Sequence, residues 1–352
     1  MLLWLLAAAG MLWADVAWAE RFAGLDGFLK LLTVPFLLAH FRRSERAAWV
    51  LMAFLLACTL LLAMSYFLAL WPGLPWRGVR SGLGVPVKDY IAQSGEFAIC
   101  VFILLAIALS LDRARPWAGL GMLVWAALFL IDFLYLATAR TALAVTVVLL
   151  LTFAFRQFGL KKGGLALLAA MLLAAAIWES SPFLRTRVGV VPGEVERYWN
   201  ENASTASGER LEYWKRSVSF MAAAPVLGHG TGTIRELFRR SAVGETGASA
   251  QVSPNPHNQT LAIGIQLGMT GVVLLYAMWI AHLFLFRGPG LPAWIGLVFV
   301  IQNIISSLFN SHLFDFTQGW IYVFGVGVAG GAVLRHAAKE AQANDPASIP
   351  KP

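Results

Sequence analysis

Four polar clusters stand out in an otherwise apolar chain. The first is Arg140, in Ala137-Thr138-Ala139-Arg140-Thr141-Ala142 at the start of an apolar run. A guanidinium offers a planar fork of donors that matches phosphate oxygens and stays protonated. Its two readings are a phosphate ligand and an interfacial arginine that snorkels to water. The second is Ser207-Gly208-Glu209-Arg210, then Trp214, then Pro225-x-x-Gly228-x-Gly230-x-Gly232. Ser207 is placed to cap a helix that runs to about Ala224, on which Arg210 and Trp214 share a face. The glycines neither follow a strand nor open a nucleotide-binding helix, so no P-loop or Rossmann fingerprint is indicated. The third is Asn255-Pro256-His257-Asn258-Gln259-Thr260. Asn255 fits an N-cap and Pro256 the first helical position, which predicts His257 in the first turn beside free N–H groups. The positive helix end favours an anion and keeps His257 neutral, able to take up a proton. The fourth, Asn310-Ser311-His312-Leu313-Phe314-Asp315, supplies His312 and Asp315. They read as capping residues, or as partners that orient His257 or bind a sugar hydroxyl.

These clusters punctuate a chain of 352 residues, 59% hydrophobic and only 13% charged, about half the charged share of a soluble domain. Mean hydropathy is +0.68. No soluble domain of this size hides that much apolar surface, so the chain is an integral membrane protein. The apolar runs are continuous and helix-length, not alternating, which excludes a β-barrel. The expected fold is an all-α polytopic bundle of about 10 (10–12) transmembrane helices. The spans fall near 2–19, 24–41, 48–71, 93–111, 117–137, 141–157, 165–179, 258–286, 291–310 and 317–334. The organisation expected is N-terminal membrane helices (1–179), one long outer loop with short helices (180–256), C-terminal membrane helices (257–334) and a polar tail (335–352), all one membrane-embedded domain. The first run resembles a signal peptide at Ala17-Trp18-Ala19, but it has no basic start and contains Asp15, so it reads as a retained helix.

Arg42, Arg43, Arg46, Arg113, Arg115, Arg156, Lys161, Lys162, Arg287, Arg335 and Lys339 all fall on one side if ten spans alternate. By the positive-inside rule that side is the cytoplasm, with both termini there. The net charge of +8 therefore reads as topology, with an anionic lipid as the sharper alternative; no nucleic-acid module is present. Cys58 and Cys100 lie in apolar runs as buried thiols. The long loop has no Asp-x-Asp, and no His/Cys/Glu cluster has metal spacing, so no metal or cofactor is expected. A transporter would show inverted repeats, broken helices and polar groups at mid-membrane. Here the polar residues gather at one face, which favours chemistry there.

The order of Arg140, Arg210 with Trp214, the Pro/Gly run and Pro256-His257-Asn258 resembles the O-antigen ligase family of polytopic, Wzy-C-type membrane glycosyltransferases, over roughly residues 138–315. The resemblance implies a GT-C-like fold in the bacterial inner membrane with its site facing the periplasm. It implies transfer of a glycan from undecaprenyl diphosphate to lipid A–core oligosaccharide, metal-independent and inverting. A polymerase that uses the same donor is the alternative. Carried over, Arg140 and Arg210 bind the diphosphate and His257 is the catalytic histidine. Trp214, Asn258, His312, Asp315, Arg77 and Arg80 are further substrate-binding candidates. Two features depart from the family: the chain has fewer spans than the usual twelve or so, and Gln266 stands where an acidic residue is common.

Overall fold

The computed structural model describes residues 1–73, 84–111 and 115–343. The sequence expectation of Arg77 and Arg80 as substrate contacts lies outside these residues. The described residues form thirteen α-helices and no strand: α1 (Leu2–Gly10), α2 (Trp18–Leu29), α3 (Thr33–Arg43), α4 (Ala47–Leu70), α5 (Tyr90–Ser110), α6 (Pro116–Tyr135), α7 (Arg140–Ser180), α8 (Pro182–Glu201), α9 (Ala206–Ala223), α10 (Ile234–Ser241), α11 (Gln259–Leu285), α12 (Leu291–Ser306) and α13 (Phe316–Ala343). Among them seven stretches are long and apolar enough to cross a membrane, with α2 and α3 counting as the single stretch Trp18–Arg43. The protein is an all-helical polytopic membrane protein.

The structure differs from ten evenly alternating spans at α1, α11, α12 and α13. α1 has nine residues, about 13.5 Å of helix, under half a bilayer core. α12 has sixteen residues and is short for a span. The runs expected at 141–157 and 165–179 are the two arms of α7, which break at Gly159 with a φ of 68°. That break is a reversal. A Cβ on Gly163 would lie 3.0 Å from the Ala154 carbonyl oxygen, whereas nine residues of straight helix separate by about 13.5 Å. The far end of α7 also returns to the level of its start, where Ser180 Oγ lies 2.8 Å from the hydroxyl of Tyr135, five residues before Arg140. Finally, α13 runs past residue 334 to Ala343, where a polar tail was expected.

α11 folds back in the same way at Gly268, φ 61°. Thr260 Oγ1 and Tyr276 Oη lie 3.2 Å apart, sixteen residues that would span about 24 Å of straight helix. Breaking a helix strands its backbone groups, and buried ones need partners. The Pro/Gly run supplies them. His229 N and Gly230 N donate to the Ile265 and Gln266 carbonyls at 2.9 Å, and Met269 N and Thr270 N donate to the Pro225 and Val226 carbonyls at 2.8 and 3.2 Å. Gly228, Gly230 and Gly232 all have positive φ. A Cβ on Gly230 would meet Ala14 at 2.5 Å, so this strut between α1 and the break in α11 needs glycine.

α5 is the hub, with Phe97, Ala98, Ile99, Cys100, Ile103 and Leu104 fully buried among α6, α7 and α12. α13 brings Gly327, Gly330 and Gly331 against Leu37, Leu38 and Phe41 of α3, the close packing that small residues permit between membrane helices. Two buried charged side chains inside the bundle are partnered. Lys30 Nζ donates to the carbonyls of Leu313, Phe314 and Asp315. Asp132 accepts from Ser65 at 2.5 Å and from Gln93 at 3.1 Å. The Lys/Arg-rich segments gather at one end of the bundle. Arg335 and Lys339 reach Ser44 and Glu45, and Arg156 reaches the carbonyls of Phe286 and Gly288. At the other end α8, α9 and α10 form a cap with its own small core of Tyr213, Ile234, Phe238, Ala262 and Ile265. Arg216, buried at 8% exposure, ties it together by donating to the carbonyls of Phe238, Ser249 and Gln251.

Candidate functional site

Where the cap meets the bundle, a cavity of about 370 Å³ is lined by Tyr90, Arg140, Thr186, Arg187, Glu194 and Arg210, among others. Capped helices deliver most of these side chains. Asp89 caps α5 by accepting from Ile91 N and Ala92 N at 2.9 and 2.8 Å, which presents Tyr90 at the rim. Arg140 opens α7. Ser181 caps α8 through Leu184 N at 3.2 Å, and α8 carries Arg187 and Glu194. α9, with Arg210, is capped by Thr205, whose hydroxyl accepts from Gly208 N at 3.1 Å. The expected cap, Ser207, is inside the helix. It is drawn away by Glu194, to which its hydroxyl donates at 2.5 Å.

The site is cationic and partly self-neutralised. Arg140 Nη1 lies 3.6 Å from Glu194 Oε2 and 3.2 Å from Ser207 Oγ. The Arg187 guanidinium sits 4.9 Å above the Tyr90 ring. Burial lowers the pKa of Arg210, which feels the charges of Tyr90, Arg140 and Glu194; a guanidinium nonetheless stays protonated.

His257 faces Arg210 from a different position than expected. α11 is capped by Asn258, whose Oδ1 accepts from Leu261 N at 3.1 Å, and begins at Gln259. Asn255 caps no helix; its Oδ1 accepts from His257 N at 2.8 Å, a local turn that Asn side chains favour. His257 therefore precedes the helix, in the left-handed region at φ 54°. That conformation is strained for a histidine, and such strain gathers at functional sites. Its ring stacks on Tyr213, centroids 6.1 Å apart. Burial, then the charge of Arg210, lowers its pKa below 6.5, only partly offset by the Asn310 hydrogen bond and Glu209. The imidazole is neutral at pH 7.

Asn310 orients that imidazole. Its Oδ1 accepts from Asn255 Nδ2 at 3.0 Å and from Ser311 N at 2.9 Å; these donors identify it as the oxygen. His257 Nδ1, 3.1 Å away, must then carry the proton, and Nε2 holds the free lone pair.

His312 is 2% exposed and its Nδ1 has no hydrogen-bond partner. Burial pushes its pKa down to about 4, against the pull of Asp315. Burial would raise the Asp315 carboxyl, but Lys88 and Gln318 N outweigh it and hold the group low. Lys88 Nζ is 2.6 Å from Asp315 Oδ2. Of the residues expected from sequence, Arg140 and Arg210 line the cavity, and His257 and His312 both feel the Arg210 charge. The Trp214 indole N–H is buried without a partner. Asn258 is engaged at both ends of its amide, donating to the Leu308 carbonyl at 3.1 Å. Sequence reasoning missed Tyr90, Arg187, Glu194 and the orienting role of Asn310. Arg187 and Glu194 are one arginine and one glutamate among many in the loop. Asn310 had a signal, its place two residues before His312 in a polar turn. Among the described residues no three His, Cys, Asp or Glu side chains group to hold a metal ion.

A sequence model described as O-antigen ligase matches residues 98–276. The matched stretch is half of the chain and contains Arg140, Arg210 and His257. No curated protein matches the chain.

Proposed function

Since the chain belongs to the O-antigen ligase family, a membrane glycosyltransferase of the ligase and polymerase type, we propose that it transfers a glycan from undecaprenyl diphosphate to lipid A–core oligosaccharide. The observation that carries this reading is a neutral histidine with a free Nε2 beside a cavity of arginines. Arg140 and Arg210 grip the diphosphate and spread the charge it gains on leaving. The acceptor hydroxyl is a poor nucleophile until its proton is removed. His257 Nε2 takes that proton as the hydroxyl oxygen bonds to the anomeric carbon. The bond from that carbon to the diphosphate oxygen breaks, and its electron pair leaves with the diphosphate. Displacement from the opposite face inverts the anomeric centre. The charge-bearing groups of the step are guanidiniums, and the step as written needs no metal.

We read the cationic end of the bundle as cytoplasmic by the positive-inside rule, with the cap in the periplasm of an inner-membrane protein; the gathering of Lys and Arg at that end supports this reading. Cysteine placed at exposed Val243 should react with an impermeant label in spheroplasts, and cysteine at Arg42 should not; the reverse would invert the orientation. The two native cysteines are buried.

The broken helix α11 is a feature that transporters share. There, unwound backbone faces the cargo; here it is paired with residues 225–230, which leaves chemistry as the better reading. Deleting the gene and resolving the lipopolysaccharide on a gel tests the function. Free lipid A–core with accumulated lipid-linked glycan supports a ligase. Core that carries a single repeat would make the chain a polymerase, and unchanged lipopolysaccharide would sink both.

A further inference from the structure

At the cationic end of the bundle lies a second cavity, of about 520 Å³, bounded by the end of α5, the turn of α7 and the link from α11 to α12. Its polar lining is Ser110, Arg156, Gln157 and Arg287, with Trp294 and the Gly288-Pro289-Gly290 turn closing it. Arg156 is fixed in place. Its guanidinium donates to the carbonyls of Phe286 and Gly288 and sits 5.8 Å from the Trp294 ring centroid. Arg287 rests on Phe284, 5.7 Å from its ring centroid. No Asp or Glu is among the described residues lining this cavity, and neither arginine belongs to an ion pair among them. Two guanidiniums, one half-buried, thus face one cavity, with dipoles but no carboxylate among the described residues that line it. An uncompensated cation removed from water is costly, and planar forks of donors suit phosphate oxygens.

The cavity is not the site described above. Arg140 and Arg156 stand at the two ends of the first arm of α7, about 24 Å apart by helix rise. The apolar side chains Leu109 and Leu291 line the same cavity, so a ligand here meets cations and hydrocarbon together.

We propose that this cavity binds the headgroup phosphate of an anionic phospholipid. Arg156 and Arg287 hold the phosphate oxygens, Ser110 and Gln157 hydrogen-bond the polar headgroup, and the acyl chains lie along Leu109 and Leu291. The assignment is independent of the glycosyl transfer. An anionic lipid is preferred over a zwitterionic one because the described residues that line the cavity offer two cations and no anion to pair with a headgroup ammonium.

The test is native mass spectrometry of the delipidated full chain in detergent, titrated with phosphatidylglycerol, phosphatidylcholine or inorganic phosphate. Wild type should retain at least fivefold more phosphatidylglycerol than phosphatidylcholine. Arg287→Gln, at an exposed position that holds no backbone carbonyl, should lose most of that preference. Arg42→Gln, an exposed cation at the same end but outside the cavity, should keep it. Equal retention of the two lipids, an unaltered preference in Arg287→Gln, or an equal loss in Arg42→Gln would overturn the proposal. Displacement of phosphatidylglycerol by millimolar phosphate would also overturn it, by making free phosphate the ligand.

Discussion

Arg140 and Arg156 sit at opposite ends of one helix arm, both half-buried and both facing a cavity. Their surroundings differ. Arg156 has backbone carbonyls, Arg287 and no titratable base. Arg140 has Glu194, Arg210 and, beyond Arg210, a neutral histidine. On the two proposals above, paired guanidiniums hold phosphate at either end of the bundle. Of the two cavities, the capped one has a neutral histidine beside its arginines. Phosphate binding and catalysis would then be separable, and His257 would be the residue that separates them.

Removing that residue is the severest test of the contrast. A positioned general base contributes about 10²–10⁴-fold, so His257→Ala should bring transfer near background in an assay with purified protein, lipid-linked glycan and lipid A–core. Donor binding should survive, because the arginines remain. His312→Ala should cost only a few-fold, since that ring is enclosed and faces the Lys88–Asp315 pair. Activity retained by His257→Ala but lost by His312→Ala would name the other histidine. Activity retained by both would remove base catalysis from the mechanism.

The arginines come next. Arg140→Lys and Arg210→Lys keep the charge and lose the bidentate fork. Each should cost about 2–4 kcal/mol of transition-state stabilisation, the scale of losing one preorganised donor. Near-normal transfer by both lysine variants would make the capped end no different in kind from the other, two cations at a membrane boundary.

The sequence carried the broad contrast and missed its mechanics. Composition and run length disclosed a polytopic helical protein, and Arg140, Arg210 and His257 each stood out by type and context. The punctuation around Gly159 marked the turn within α7, but periodicity could not reveal that α11 reverses. A glycine inside an apolar run looks the same whether the helix continues or folds back; tertiary partners decide, as the strut at residues 225–230 does for Gly268. Capping was misplaced twice for one reason. Ser207 and Asn255 have better partners elsewhere, in Glu194 and in His257 N, and local propensity does not see them. The partners of Arg140 lay more than forty residues away in the chain, beyond any motif.

Asn310 sharpens the comparison through pH. Burial and Arg210 hold His257 below 6.5, so its basic form persists into mildly acidic solution, and the acid limb of the pH–rate profile should fall below that value. Asn310→Asp places a carboxylate 3.1 Å from Nδ1. It stabilises the imidazolium and raises the pKa, so the acid limb should move to higher pH with a modest loss of rate at pH 8. A lower rate with an unmoved limb would leave Asn310 a structural residue only.

The smallest effect expected is none at all, from a chelator. Acidic side chains around the capped cavity are already engaged by protein donors: Glu194 by Ser207 and Arg140, Asp315 by Lys88, Glu209 by Ser204. A divalent ion would have to displace those donors and then sit among Arg140, Arg187 and Arg210, where like charge opposes it. In the proposed step the guanidiniums neutralise the departing diphosphate, the role a metal plays in many glycosyl and phosphoryl transfers. Transfer measured in excess EDTA should match the untreated rate. Inhibition reversed by magnesium or manganese would place a cation in the step. The search would then begin at Glu20 and Asp26, which the described residues leave without an ion pair.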